Sequence, residues 1–289
     1  MRLLIFGGAG MLGQAVAAAA RSRGAEALAL SREQADVEDA GQLRDWAVRF
    51  RPEAVINCAA YTKVDLAEGE GREKAFAVNG SGVANVVAAA AAVGARLIHV
   101  STDYVFDGAA RQPYREDAPV HPLSVYGQSK LAGEREALQG DPEGRALVVR
   151  TSWLFGPGGP NFAATMVRLI DEGKLPLRVV CDQEGCPTYT PYLAAALLDL
   201  ARLELTGVVH YRNREPVSWY GFAVEIARRW SGTAEVVPVT TKEYPRPAPR
   251  PAWSVLDVSR FEDAAGRRVE AWEDGLADYL SGIRKGEMR

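Results

Sequence analysis

The stretch Leu3-Leu4-Ile5-Phe6-Gly7-Gly8-Ala9-Gly10-Met11-Leu12-Gly13 constrains this chain more than any other. A short apolar run ends in glycines, and a helical pattern over Met11–Arg23 begins at once, stopped by Gly24. The spacing fits GxGxxG from Gly8 and GxxGxxG from Gly7. In the first βα turn of a doubly wound sheet, such glycines let the N–H groups of a helix start approach a pyrophosphate, where Cβ atoms would obstruct it. A purely structural turn would use the same glycines. The placement after a strand and before a helix carries the dinucleotide reading, not the pattern alone.

The strand–helix alternation continues. Ala27–Leu30, Ala54–Asn57, Leu97–Ser101 and Ala146–Arg150 are short apolar runs. Between them lie helical spacings at Val37–Phe50, from about Ala67 to Val93, and at Val125–Leu138. Continuously apolar strands are buried on both faces, as in parallel sheets, and the alternation calls for right-handed crossovers. The expected class is α/β, a Rossmann-like doubly wound parallel sheet over residues 1–155. Residues 156–289 are expected to form a smaller, mixed α/β lobe, from which a strand near 207–211 can return to the sheet. Helical patterns there cover Phe162–Ile170, Leu193–Leu203, Ser218–Trp230 and Trp272–Ile283. Tyr244–Pro251 has proline at every second position and must be extended, because those residues lack an N–H.

Composition removes several classes. Lys+Arg number 34 against 37 Asp+Glu, a net charge of −3, which argues against a nucleic-acid partner. Hydrophobic residues reach 47%, too many for a disordered chain. Cys58, Cys181 and Cys186 are odd in number and form no CxxC, pointing to a reducing, cytoplasmic setting. No His/Cys cluster offers a metal cage. The N-terminal apolar run stops after Phe6, shorter than the core of a signal peptide, and no segment is long enough for a membrane span.

The second strand ends in Leu30-Ser31-Arg32, with no acidic residue to hold a ribose 2′-OH. Ser31 and Arg32 supply donors and a positive charge instead, which favours NADPH while leaving NADH possible. The bland alternative is a solvated loop arginine. Tyr126 and Lys130 stand at i, i+4 in Ser124-Val125-Tyr126-Gly127-Gln128-Ser129-Lys130 and share one helix face. An ammonium ~4 Å from a phenol at an effective dielectric of ~20 contributes about 4 kcal/mol, enough to lower the phenol pKa by about three units. The expectation is a phenol brought towards neutrality for proton transfer. Alone, the pair would read as a surface feature. Thr102, in Val100-Ser101-Thr102-Asp103-Tyr104, ends a strand where open α/β sheets bind ligands.

Together these residues resemble the extended short-chain dehydrogenase/reductase superfamily. Further strings resemble the dTDP-4-dehydrorhamnose reductases: Asn57–Glu68 (NCAAYTKVDLAE), Ser101–Gly108 (STDYVFDG) and Tyr126–Glu134 (YGQSKLAGE). Arg150–Phe155 (RTSWLF), Asn161-Phe162, Asp182–Thr188 (DQEGCPT) and Arg250-Pro251 before Ser254 continue the match, with Phe155 in place of the usual tyrosine.

The resemblance implies NADPH-dependent reduction of the C4 ketone of dTDP-6-deoxy-L-lyxo-4-hexulose to dTDP-L-rhamnose. It implies that Tyr126 protonates the C4 oxyanion, that Lys130 holds the nicotinamide ribose and lowers the phenol pKa, and that Thr102 tunes the group. Gly7, Gly10, Met11, Leu12 and Gly13 would lie under the pyrophosphate. Asp36 and Val37 would flank the adenine, and Ala60, Tyr61 and Thr62 would approach the cofactor. Val64, Asp103 and Trp153 would face the sugar nucleotide, although Trp153 also suits a core. Arg250 is expected on the substrate phosphates, with a solvated arginine as the alternative. Some members bind magnesium at a dimer contact through a glutamate after the last glycine. Gln14-Ala15 stands there in this chain, so no metal is expected, while a homodimer remains open. Two other readings stay open: an epimerase or dehydratase acting on a sugar nucleotide, and an NADP-binding regulatory subunit resembling that of methionine adenosyltransferase.

Overall fold

In a computed structural model, residues 1–286 are described; residues 287–289, which close the lobe expected over 156–289, lie outside the described residues. Strand β1 (Arg2–Phe6) buries Leu3, Leu4, Ile5 and Phe6 completely. Helix α1 (Met11–Ser22), β2 (Glu26–Leu30), α2 (Ala40–Phe50) and β3 (Ala54–Asn57) follow. Two short helices, α3 (Val64–Ala67) and α4 (Arg72–Phe76), lead through a π-turn at Ala77–Ser81 into α5 (Gly82–Ala91). Strand β4 (Arg96–Thr102), helix α6 (Val125–Gln139) and β5 (Leu147–Thr151) complete the first half.

The second half contains β6 (Leu154–Phe155), α7 (Phe162–Asp171), β7 (Leu177–Val180), β8 (Glu184–Gly185) and β9 (Thr188–Tyr189). Helix α8 (Thr190–Leu200), β10 (Gly207–His210), β11 (Val217–Ser218) and α9 (Trp219–Trp230) come next. Strand β12 (Val236–Val239), α10 (Ser259–Ala265) and α11 (Trp272–Arg284) end the chain. The pairs β6–β9, β7–β12 and β8–β11 are small sheets of the second half.

One six-stranded parallel sheet dominates, in the order β2-β1-β3-β4-β5-β10. The chain leaves β1 to one side for β2 and returns on the other for β3. That reversal opens a crevice at the strands' carboxyl ends, where such sheets bind ligands. Helices cover both faces. On one, Leu12 and Val16 of α1 pack with Leu193 and Leu197 of α8 over Leu3 and Ile5. On the other, Leu43, Val83, Val86 and Ala137 pack over Leu4 and Phe6. A separate core gathers Phe155, Phe222, Trp272 and Tyr279 in the second half.

The fold departs from the sequence expectations at three places. The helical stretch expected from about Ala67 to Val93 runs without a break from Arg72 to Ala91 as α4, the π-turn and α5, with the short α3 separate before it. Gly71 closes a turn onto the Leu66 carbonyl (2.8 Å), and the wider π-turn re-aims Asn79 inwards. Helix α2 starts at Ala40 rather than Val37, because the Asp39 carboxylate caps it by accepting from the Gln42 N–H. Helix α8 runs from Thr190 to Leu200, not 193–203. Pro191 opens it, and the Arg96 guanidinium binds the Leu200 carbonyl at its end (2.9 Å).

A buried ion pair joins α6 to the sheet. Glu134 accepts from Ser101 Oγ of β4 (2.6 Å) and from Arg150 Nε and Nη2 of β5 (2.9 and 2.7 Å). The two side chains retain only 2% and 5% of their exposure. Removing one partner strands the other in a low-dielectric interior. Glu134→Leu is therefore expected to cost about 3–5 kcal/mol, read as a lower urea midpoint at unchanged m. The double change Glu134→Leu/Arg150→Met should recover most of that loss, and a single-variant cost below about 1 kcal/mol would contradict the assignment.

Candidate active site

The glycine turn sits at the β1/β3 crevice because no side chain would fit there. A Cβ on Gly7 would lie 2.6 Å from the Ala59 amide, and one on Gly13 would lie 2.2 Å from the Gly7 carbonyl oxygen. Gly10 caps α1 without a side-chain hydrogen bond, and the first turn carries no acidic residue. The helix start therefore presents its N–H groups and positive dipole end unopposed, which fits a pyrophosphate. The Gln14 amide braces this loop by donating to the carbonyls of Ala9 (2.7 Å) and Gly158 (3.0 Å).

A cleft of about 230 Å³ extends from these glycines. Gly7, Gly10, Arg32, Asp36, Val37, Ala60 and Tyr61 line it, together with Ala9, Ala35, Cys58, Ala59 and Val78, which the sequence reasoning did not single out. Met11, Leu12, Gly13, Ser31 and Thr62 do not line it. The Leu12 side chain is in the core, Gly13 is packed under the turn, and Thr62 is exposed. The Ser31 amide is taken by Gln34 Oε1 (2.9 Å). Arg32 is exposed and paired with Asp36 (3.2 Å) and Glu38 (3.9 Å), so its charge is partly balanced at the cleft rim.

Asn79 is a positioning residue that the sequence reasoning missed. Its Oδ1 accepts the Tyr61 N–H (2.8 Å), and its Nδ2 donates to the Tyr61 carbonyl (3.0 Å) and to Ser129 Oγ (3.0 Å). It thereby fixes the Ala60–Tyr61 loop against α6. Glu68 braces the same helix by accepting the Val125 N–H (2.8 Å), a carboxylate at a positive helix end.

Thr102, Asp103, Tyr126 and Lys130 come together beside this cleft. Thr102 ends β4 and pairs with Thr151. Gly127 lets α6 approach the Asp103–Val105 turn, since a Cβ there would lie 2.2 Å from the Tyr104 carbonyl oxygen. The Tyr126 ring meets Tyr104 edge-on at 5.6 Å. Thr102 Oγ1 donates to Asp103 Oδ1 (3.0 Å).

The electrostatics reverse the expectation for the phenol. Burial, then the Asp103 carboxylate, push Tyr126 up to about 12, and the Thr102 hydroxyl opposes them only weakly. Lys130 is 2% exposed and donates to the Val100 carbonyl (2.7 Å), and burial brings it down to about 8. Proximity along a helix face did not make Lys130 the group that sets the phenol. Burial holds Asp103 up at about 6 despite its hydrogen bonds.

Two substrate-side expectations also change. Arg250 does not stand free for phosphates. Its Nη1 binds Asp65 Oδ1 (2.9 Å) and the Ala248 carbonyl (2.8 Å), and Arg246 binds the same carboxylate. These bonds hold Asp65 down at about 2 and lay the 244–251 segment, which bends at Pro247 and Ala248 rather than running extended, against α3. Trp153 is strained, with φ of 47°, and stacks on Trp219 with centroids 3.5 Å apart. One face of its indole is thus occupied by protein. Val64 opens α3 and is half-buried.

A family model described as the RmlD substrate binding domain matches residues 1–285. The chain belongs to that family, the dTDP-4-dehydrorhamnose reductases. It is 42% identical over 288 residues to a dTDP-4-dehydrorhamnose reductase of Streptomyces griseus, covering 98% of this chain and 94% of the relative. It is 39% identical to the spore coat polysaccharide biosynthesis protein SpsK of Bacillus subtilis, covering 96% of each. The dTDP-4-dehydrorhamnose reductase of Bacillus anthracis, solved in complex with NADP, superposes with a TM-score of 0.90 at 35% identity, covering 97% of this chain and 98% of that one. The Rossmann-like class is that of these family structures. No helix of the described residues is long and apolar enough to cross a membrane.

The glycine cradle supplies a direct check on the cleft. Gly13→Ala should weaken NADPH binding by more than about tenfold, measured by fluorescence titration, because the loop must move to admit a Cβ. Binding within twofold of the parent would remove the cleft from consideration.

Proposed function

We propose that this protein is an NADPH-dependent oxidoreductase that reduces the C4 ketone of dTDP-6-deoxy-L-lyxo-4-hexulose (dTDP-4-dehydro-6-deoxy-L-mannose), giving dTDP-L-rhamnose. One observation carries the reading. The open helix start and the Thr102–Tyr126–Lys130 group lie at the carboxyl ends of β1 and β4, the strands on either side of β3 in one parallel sheet, beside a single crevice. In that setting residues 1–155 hold chiefly the cofactor and residues 156–289 chiefly the sugar nucleotide, with α8 and β10 lent back to the sheet.

NADPH, when bound, supplies the hydride. The protein supplies position and a proton. The open N–H groups at Gly10 and Met11 would hold the pyrophosphate. Arg32 at the rim would meet a 2′-phosphate in place of its carboxylate partners. Tyr126 is half-buried, and its hydroxyl holds its proton firmly at rest, since desolvation and Asp103 disfavour the phenolate. It gives that proton up to a C4 oxygen on which alkoxide charge develops, a far stronger base than water. Thr102 orients the hydroxyl. Lys130, anchored on Val100, presents its ammonium from beneath, where ribose hydroxyls would sit. Asp103, Val64 and the free side of Trp153 would face the deoxysugar. Three unpaired cysteines suit a cytoplasmic location.

Tyr126→Phe tests the acid role. It should lower kcat by about 10²–10⁴-fold in an NADPH-oxidation assay with this sugar nucleotide, while NADPH binding stays within a few-fold. Unchanged turnover would remove Tyr126 from the reaction. The cofactor assignment is checked separately by kcat/KM for NADPH and NADH. The expected ratio favours NADPH and falls towards one in Arg32→Ala.

A further inference from the structure

Trp153 holds a backbone conformation that bulky residues avoid. Its φ of 47° lies in the left-handed region, where Cβ crowds the following carbonyl oxygen. Strain of this kind persists only where surrounding contacts over-determine it, and it collects at functional sites. Strand β5 ends at Thr151, which pairs with Thr102 of β4. The strained turn therefore carries the half-buried indole just past the carboxyl end of the sheet, at the level of the candidate active site.

The contacts that fix this turn come from three directions. The Trp153 carbonyl accepts the Thr188 N–H (3.1 Å), and the Ser152 hydroxyl donates to the Cys186 carbonyl (2.8 Å). Gly185 borders the ring so closely that a Cβ there would lie 2.6 Å from Trp153 Cε2. Trp219 stacks on the indole with centroids 3.5 Å and planes 7° apart. Trp219 is itself held. Strand β11 pairs with β8, Val217 opposite Gly185, so the frame that borders the indole leads directly into Trp219. Ser218 caps α9 by accepting the Gly221 N–H (3.0 Å), which makes Trp219 the first residue of that helix. Phe162, the first residue of α7, packs on its far side from the second-half core, with centroids 4.6 Å apart.

We propose that Trp219 is a positioning residue for the sugar nucleotide, acting by setting the plane of the Trp153 indole. This rests on the reductase reading above, in which Trp153 faces the deoxysugar. The C–H groups and methyl of a deoxysugar suit a flat aromatic surface, and that surface decides where the reacting carbon lies. A ketone must sit within reach of both hydride and phenol, and small misplacements cost rate steeply. Without the stack, the turn at Trp153 relaxes towards ordinary backbone angles and the indole swings away from its set plane.

The test is a double-mutant cycle on kcat/KM for dTDP-6-deoxy-L-lyxo-4-hexulose at saturating NADPH. Trp219→Ala should lower kcat/KM by about tenfold or more, while NADPH affinity stays within about twofold. Trp219→Phe keeps a flat ring for the stack and should stay within about threefold of the parent. In a Trp153→Ala background, Trp219→Ala should cost less than about twofold further, because the surface it orients is gone. A cost that carries over undiminished into that background marks a general packing role and overturns the proposal. Parent-like kcat/KM in Trp219→Ala overturns it as well. If Trp219→Ala fails to fold, Trp219→Leu, which fills the volume without a flat face, takes its place in the cycle with the same expectations. A parent protein that does not oxidise NADPH with this ketone defeats the reductase reading and the proposal together; with turnover present, the cycle judges the proposal alone.

Discussion

Everything at the candidate site hangs on the buried pairing of Glu134 with Arg150 and Ser101. Glu134 lies one helical turn beyond Lys130, and Ser101 and Arg150 each lie one residue before the paired Thr102 and Thr151. The ion pair thus pins the helix that carries Tyr126 and Lys130 across two strands at the level of Thr102. Such a pair adds little net stability over a well-packed apolar equivalent, because desolvation offsets most of the attraction. What it does provide is register. A helix held only by apolar contacts could slide by a fraction of a turn, but one whose carboxylate meets a guanidinium fork and a hydroxyl cannot do so without stranding charge.

Close approach is the second theme, and it uses missing side chains. Gly127 and Gly133 let α6 press on the Tyr104 and Asn79 carbonyls, while Gly7 and Gly13 fold the turn against β3 and α1. Between them, the π-turn rotates Asn79 to grip both polar groups of the Tyr61 backbone. Parallel strands set the walls of the crevice. The second half contributes a different kind of wall: an aromatic stack at Trp153–Trp219 and a proline-rich segment tied down by Asp65.

Burial then decides the protonation states. The same dry surroundings push the Tyr126 phenol and the Asp103 carboxyl up and bring the Lys130 ammonium down. All three shifts favour the neutral form, as desolvation requires. A neutral phenol is poised to give its proton away once negative charge develops on a substrate oxygen, and it resists losing it to water beforehand.

Much of this was legible in the residues. Short apolar runs, their alternation with helical spacing and the glycine turn after Leu3–Phe6 are local properties of the chain, set by backbone geometry and side-chain period, and they determined the fold class. The i, i+4 spacing of Tyr126 and Lys130 likewise placed both on one helix. Partners across the fold were another matter. Arg250 meets Asp65 across 185 positions, and nothing local marks that encounter. The helix expected through residues 67–93 carries a π-turn at Ala77–Ser81, where Asn79 meets the tertiary partners Tyr61 and Ser129 that no local pattern marks. The phenol moved opposite to the Lys130 argument because dielectric and charge act through space, not along the chain. Pattern alone determined which elements form and at which end of the sheet the candidate site residues gather. Only the packed structure decided which charge each ionisable group meets and how dry its surroundings are, since both depend on what the fold brings alongside.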